Sequence, residues 1–241
     1  GGGMLVYEHD GWIYLLDPAT RLTQRVTISV HGDFPWAAAR WEDVSGQVSD
    51  ASLSATGQRI LMAARGEIWT VPVEHGDARN LTRSSDRADR TPIWSPDGQQ
   101  VAWFSSDGGD YRLLITAQDG TGTPRSIDIA PSKMGWGPSW SPDGSRIAFM
   151  DDDGRVRVVE VTAGRVRTAD VDGTTFDLGN PIVWSPDSKW LAYSRTFPNQ
   201  YHRIVVWSVE TGRARPVTDM LADAISPAFD RNGRHLWFLA S

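Results

Sequence analysis

The string Trp94-Ser95-Pro96-Asp97-Gly98 recurs as Trp140-Ser141-Pro142-Asp143-Gly144 and, with one change, as Trp184-Ser185-Pro186-Asp187-Ser188. Two degenerate copies flank these, Leu53-Ser54-Ala55-Thr56-Gly57 and Phe229-Asp230-Arg231-Asn232-Gly233. Successive copies lie 41, 46, 44 and 45 residues apart. A unit of that length holds four strands and their turns, the content of one propeller blade. The repeat itself reads as a type I turn: Pro presets φ, Asp bonds the local backbone, and Gly tolerates the conformation at the end of the turn. The repeated Asp97, Asp143 and Asp187 are therefore structural turn residues, since a single active site would need its carboxylate only once.

Each turn is followed by a short apolar run, such as Val101-Ala102-Trp103-Phe104, Ile147-Ala148-Phe149 or Leu191-Ala192-Tyr193. Continuous apolarity over so few residues predicts a strand buried on both faces, as stacked sheets provide. A polar or Gly-bearing turn leads to a third, β-branched strand (Val156 to Val159, Ile204 to Trp207) and then to a polar fourth strand, where Pro216 suits an outer edge. The segments Met4 to Tyr7, Gly11 to Leu16 and Leu22 to Val26 match the second, third and fourth strands of the unit, and 226–241 supplies a first and second. The second strand is thus present twice, which predicts a ring that does not close within these residues, with one or more blades outside them.

The expected fold is all-β: a β-propeller of four-stranded antiparallel blades, about five of them, as part of a seven-bladed open ring. The strands of a partial blade fall at 4–30, blades at approximately 51–82, 91–128, 138–170 and 181–219, and a partial blade at 225–241. The longest break in the pattern runs from about Ser29 to Asp50, with shorter ones at Asp86 to Arg90 and Pro131 to Gly137.

With the pattern in hand, composition mainly excludes. A net charge of −6 leaves no clustered basic face for nucleic acid. The absence of cysteine rules out disulfides, thiolate-ligated zinc and thiol catalysis, in whatever compartment. No apolar run is long enough to cross a bilayer, and Gly1 to Leu5 carries neither a basic region nor a secretory apolar core, so no membrane association is expected. The twelve Trp fall mostly inside the repeat, which makes them anchors of packing.

The tandem turns resemble those of TolB-like propellers and of the tricorn protease family. Three stretches sharpen the second resemblance: Leu5 through Glu8-His9-Asp10-Gly11-Trp12 to Asp17, His31-Gly32-Asp33-Phe34-Pro35-Trp36, and Leu53 through Glu67-Ile68-Trp69 to Leu81-Thr82. The resemblance to the tricorn family spans essentially the whole chain. It implies the larger, seven-bladed propeller of a cytoplasmic serine peptidase, with a channel that passes peptides. It also implies that the catalytic machinery lies outside these residues, so no catalytic residue transfers onto them. The partners it implies are peptides, or the peptidase domains of the same full-length chain, which forms large homo-oligomers.

Direct inspection agrees with a segment free of catalysis. Gly137-Pro138-Ser139-Trp140-Ser141 lacks the final Gly of a nucleophile elbow and sits at a repeat turn. The five histidines have no metal-ligand spacing. Asp151-Asp152-Asp153-Gly154 and Asp170-Val171-Asp172-Gly173 lack the alternating ligands of a calcium loop and read as hairpin turns. Neither a metal nor a cofactor is expected. Recognition residues are sought instead in the breaks of the pattern: Phe34, Trp36, Arg40 and Trp41 in the longest, and Arg87, Arg90 and Trp136 in the shorter ones. Two readings remain, a propeller that guides or gates peptides toward an active site elsewhere and, as the alternative, a TolB-like protein-interaction scaffold.

Overall fold

The computed structural model describes residues 3–29, 31–32, 43–84, 86–107, 110–171, 181–219 and 221–241. Two compact units, Gly1–Gly46 and Gln47–Ser241, are distinguished and taken in turn. No α-helix occurs among the described residues.

The first unit carries one antiparallel sheet of three strands, β1 (Leu5–His9), β2 (Trp12–Leu16) and β3 (Thr23–Arg25), in that order. Tyr7 pairs with Tyr14 across β1 and β2, and their rings stack at 5.4 Å. The Arg25 guanidinium sits over the Trp12 ring at 3.1 Å.

The second unit contains four four-stranded antiparallel sheets, each a meander in chain order. They are β4 (Val48–Leu53) to β7 (Arg79–Asn80), β8 (Asp89–Trp94) to β11 (Arg125–Asp128), β12 (Gly135–Trp140) to β15 (Arg165–Val171), and β16 (Val183–Trp184) to β19 (Ala214–Pro216). A pair, β20 (Ala224–Phe229) with β21 (Leu236–Ala240), comes last. The inner strands of the second sheet are β9 (Gln100–Asp107) and β10 (Asp110–Ala117), those of the third β13 (Arg146–Asp151) and β14 (Arg155–Glu160), and those of the fourth β17 (Trp190–Thr196) and β18 (His202–Ser208).

The core lies between sheets. One cluster joins Ala102, Phe104, Leu113 and Ile115 of the second sheet to Ile147, Phe149 and Val159 of the third. Another joins Ala148, Val156 and Val158 of the third to Leu191, Tyr193, Val205 and Trp207 of the fourth. A third packs Leu61, Ala63 and Ile68 against Trp94, Val101 and Trp103. Each large side chain buried this way contributes about 1.5–3 kcal/mol, so a sheet with neighbours on both faces draws its stability from both. Phe104 and Phe149 meet edge to face at 5.1 Å, and Gly135 lies so close to the Phe104 ring that a Cβ there would clash with it.

First strands of successive sheets adjoin one another, β4 with β8, β8 with β12, β12 with β16 and β16 with β20. Two of these contacts carry an indole hydrogen bond: Trp94 Nε1 donates to Ser52 O and Trp184 Nε1 to Ser139 O, both at 3.0 Å. Meandering sheets stacked face to face, with first strands gathered along one edge, are the blades of a β-propeller.

Candidate functional site

The repeated turns are closed in the same way. In the first full copy Ser95 Oγ donates to Asp97 Oδ1 at 2.5 Å, Asp97 Oδ1 accepts from Gln99 N at 3.0 Å, and Ser95 Oγ accepts from Gln100 N at 2.9 Å. Asp143 with Ser141 and Ser145, and Asp187 with Ser185 and Lys189, repeat the pattern. The Ser95 hydroxyl holds the Asp97 carboxyl below the usual range, and the Ser185 hydroxyl does the same for Asp187. For Asp143 burial pushes upward, but the hydroxyl and amide donors around it prevail and the carboxyl again stays low. In the fifth copy Asp230 replaces the serine and accepts from both Arg234 N and His235 N. In the fourth, Ser188 replaces glycine, keeps a positive φ of 59°, and accepts from Asp143 N of the preceding turn at 3.1 Å.

At the start of the first strands lie two of the residues singled out in the breaks of the sequence pattern, Arg90 and Trp136. Arg90 and Trp136 are not in connections between blades: Arg90 is on β8 and Trp136 on β12. The sequence pattern breaks there because each first strand contains a bulge, at which extended alternation stops, so the break reads as a loop. Arg90 pairs with Phe104 and Trp136 with Met150, each immediately ahead of the register shift. Thr91, Gly137 and Ser226 have φ of 49°, 55° and 55°, and each precedes a proline. Arg90 and Trp136 therefore hold the same place on neighbouring first strands, a juxtaposition that their 46-residue separation in sequence conceals. The signal that could have found it is the recurring Pro two residues further on, at 92, 138 and 227. Arg87 lies just before β8, where its carbonyl approaches Gly66 of the preceding sheet. Phe34, Trp36, Arg40 and Trp41 lie outside the described residues.

The buried carboxylates near this end are internally satisfied. Asp89, 2% exposed, accepts from Trp103 Nε1 at 3.0 Å and from Ser84 Oγ at 2.8 Å. Asp151, fully buried, accepts from Ser132 Oγ at 2.6 Å, Arg155 N at 2.8 Å and Arg155 Nε at 2.8 Å, with Arg157 Nη1 at 3.5 Å. Burial pushes the Asp151 carboxyl up, but these donors outweigh it and hold it below the usual range. Both Asp151 oxygens are thus engaged by N–H and O–H donors within the hairpin turn 151–154 and its neighbours. Residues 172–180, and with them the second Asp-Gly turn, lie outside the described residues. Among the described residues no group of three His, Cys, Asp or Glu side chains is placed to hold a metal ion, and no helix is long and apolar enough to cross a membrane.

The blade architecture defines the class of protein, a β-propeller. Residues 48–241 match the family described as the tricorn protease second beta propeller domain, and the chain belongs to that family. Over its whole length the chain is 29% identical to tricorn protease homolog 1 of Streptomyces coelicolor and 24% identical to the tricorn protease homolog of Saccharolobus solfataricus. It spans only 23% and 21% of those two proteins. Among solved structures, the tricorn protease matches 98% of the chain and 23% of its own, with a TM-score of 0.70 at 18% identity. TolB from Acinetobacter baumannii matches 99% of the chain and 63% of its own, at 0.55 and 14%. Both structural likenesses are likenesses of fold.

Proposed function

We propose that this chain is a non-catalytic propeller segment of a tricorn-like serine peptidase, guiding or gating peptides toward an active site elsewhere in the polypeptide. The observation that carries this reading is the match of residues 48–241 to the second tricorn propeller within a chain that spans about a quarter of its relatives. The complete protein then supplies the remaining blades of a seven-bladed open ring and the peptidase domains, works in the cytoplasm, and assembles as a homo-oligomer. Peptides pass along the edge where first strands gather, past Arg90 and Trp136. The alternative, a TolB-like scaffold that docks protein partners on a propeller face, draws on the shared fold alone.

Two measurements separate these readings. The 241-residue chain incubated with fluorogenic peptides is expected to give no turnover; turnover abolished by a serine-directed reagent would falsify the non-catalytic assignment. In the complete protein, peptides bearing a photoreactive residue are expected to label Asp89–Trp94 and Gly135–Trp140. Labelling confined to other domains favours the scaffold.

A further inference from the structure

The four-stranded sheets repeat one layout, so a position can be followed from sheet to sheet. Eleven residues after the tryptophan of each turn, or after Leu53 in its place, the second strand ends on Ala64, Ser105, Asp151 and Arg195. On the third strand Ala64 faces Glu67 and Ser105 faces Arg112, and Asp151 is paired with Arg155 at 2.8 Å. The fourth sheet departs from this: Arg195 lies directly opposite Arg203. Like charges so placed destabilise a sheet, a cost that a bound anion would relieve.

Both guanidiniums also meet one ring. Arg195 Cζ is 5.1 Å and Arg203 Cζ 5.0 Å from the centre of Phe197, and all three residues are partly exposed. Asp170 of the third sheet accepts from Arg195 Nη1 at 3.1 Å and from Tyr193 Oη at 2.8 Å. Arg203 commits Nε and Nη2 to the carbonyl of Thr218. Among the described residues, Arg195 Nη2 and Arg203 Nη1 donate to no acceptor, and Asp170 is the one carboxylate in an ion pair with either arginine. Two cations thus share one anion. We propose that Arg195 and Arg203, braced on Phe197, bind a carboxylate of a peptide, from an acidic side chain or a C-terminus, which accepts from the two uncommitted Nη groups. A planar guanidinium fork matches a carboxylate. One carboxylate balances the surplus of a single charge, whereas a phosphate dianion would set a second negative charge near Asp170. The inference stands apart from the peptidase reading, because it concerns the inner strands of the fourth sheet and is tested by binding to this chain alone.

The test titrates the 241-residue chain by calorimetry with four ligands: acetyl-Gly-Glu-Gly-amide, acetyl-Gly-Gln-Gly-amide, acetyl-Gly-Gly-Gly with a free C-terminus, and inorganic phosphate. At least one of the two carboxylate peptides is expected to bind, with an affinity that falls as salt rises, and the tighter of them identifies the source of the carboxylate. The glutamine peptide is expected to give no binding heat. Arg203→Gln is expected to weaken the carboxylate peptide roughly tenfold or more. Asp170→Asn removes the competing negative charge and is expected to tighten it severalfold, a direction that mere loss of structure would not produce. Equal binding of the glutamate and glutamine peptides, phosphate bound in preference to both carboxylates, unchanged affinity in Arg203→Gln, or no binding at millimolar peptide overturns the proposal. If Arg203→Gln does not fold, Asp170→Asn decides in its place, and an affinity that fails to rise there is equally contrary.

Discussion

The aspartates that close the turns and the one buried against Arg155 share a property with a measurable consequence. Each is held ionised by donors that exist only in the folded chain, so its folded pKa lies below its unfolded value of about 3.9. Such groups bind more protons in the unfolded state, and their stabilisation is fully present above that value. It is lost as pH falls through the folded pKa. The urea midpoint is expected to be level between about pH 7 and 5 and to fall below about pH 4. Asp151→Asn is expected to lower the midpoint at neutral pH and to make the acid fall shallower, since buried Arg157 then loses its carboxylate and Arg155 keeps only Asp153. An acid limb as steep in Asp151→Asn as in the unaltered chain would show that this group does not drive it.

Single residues also mark the limits of sequence reading. The turn chemistry is visible in the string because Ser, Pro, Asp and Gly act on neighbours only two to five residues away. The replacement at Ser188 is just as visible, but its partner is 45 residues away, and only stacked turns bring the two together. Arg90 and Trp136 stand out as breaks in the pattern, and the only sequence trace of their common register is the proline two residues after each, Pro92 and Pro138, which follows a bulge.

At the scale of strands and sheets, the apolar runs after each turn are the strands whose side chains fill the spaces between sheets, as Val101 to Phe104 and Ile147 to Phe149 do. Their continuity comes from having a sheet on either side. First strands are harder to read, because a left-handed residue followed by proline interrupts them. The indole bonds between first strands give this level its own prediction. Trp184→Phe removes a buried donor and leaves the Ser139 carbonyl without it, at a cost of roughly 1–3 kcal/mol. Trp140→Phe removes an indole N–H that has no acceptor, so its hydrogen-bond loss is nil and the smaller destabilisation is that of packing alone. Denaturant melts of the two variants check this. A larger loss for Trp140→Phe would contradict the assignment of the indole bonds.

Across residues 47–241 the repeat has the character of a quasi-one-dimensional array, in which neighbouring sheets stabilise one another and the described core residues fall into three clusters between sheets. In sheets with two neighbours the second strand is largely buried, with Leu191 and Ile147 fully covered. The last pair exposes Trp237 and Leu239 at 66% and 63%, and the three-stranded sheet exposes Val6 at 67%. The position held by Ala148 and Ala192, fully covered between sheets, is Trp237 in the last pair, where it is 66% exposed. This also explains why family membership is readable from sequence: the architecture is repeated along the chain.

The central claim, that successive sheets stack face to face with first strands side by side, is tested most directly by proton–proton distances in solution. Nuclear Overhauser contacts are expected from the Trp184 indole N–H to Ser139 and Trp140, and from the Trp94 indole N–H to Ser52 and Leu53. Absence of both sets, with backbone hydrogen bonds running from β11 directly to β12 as in one continuous barrel, would contradict it.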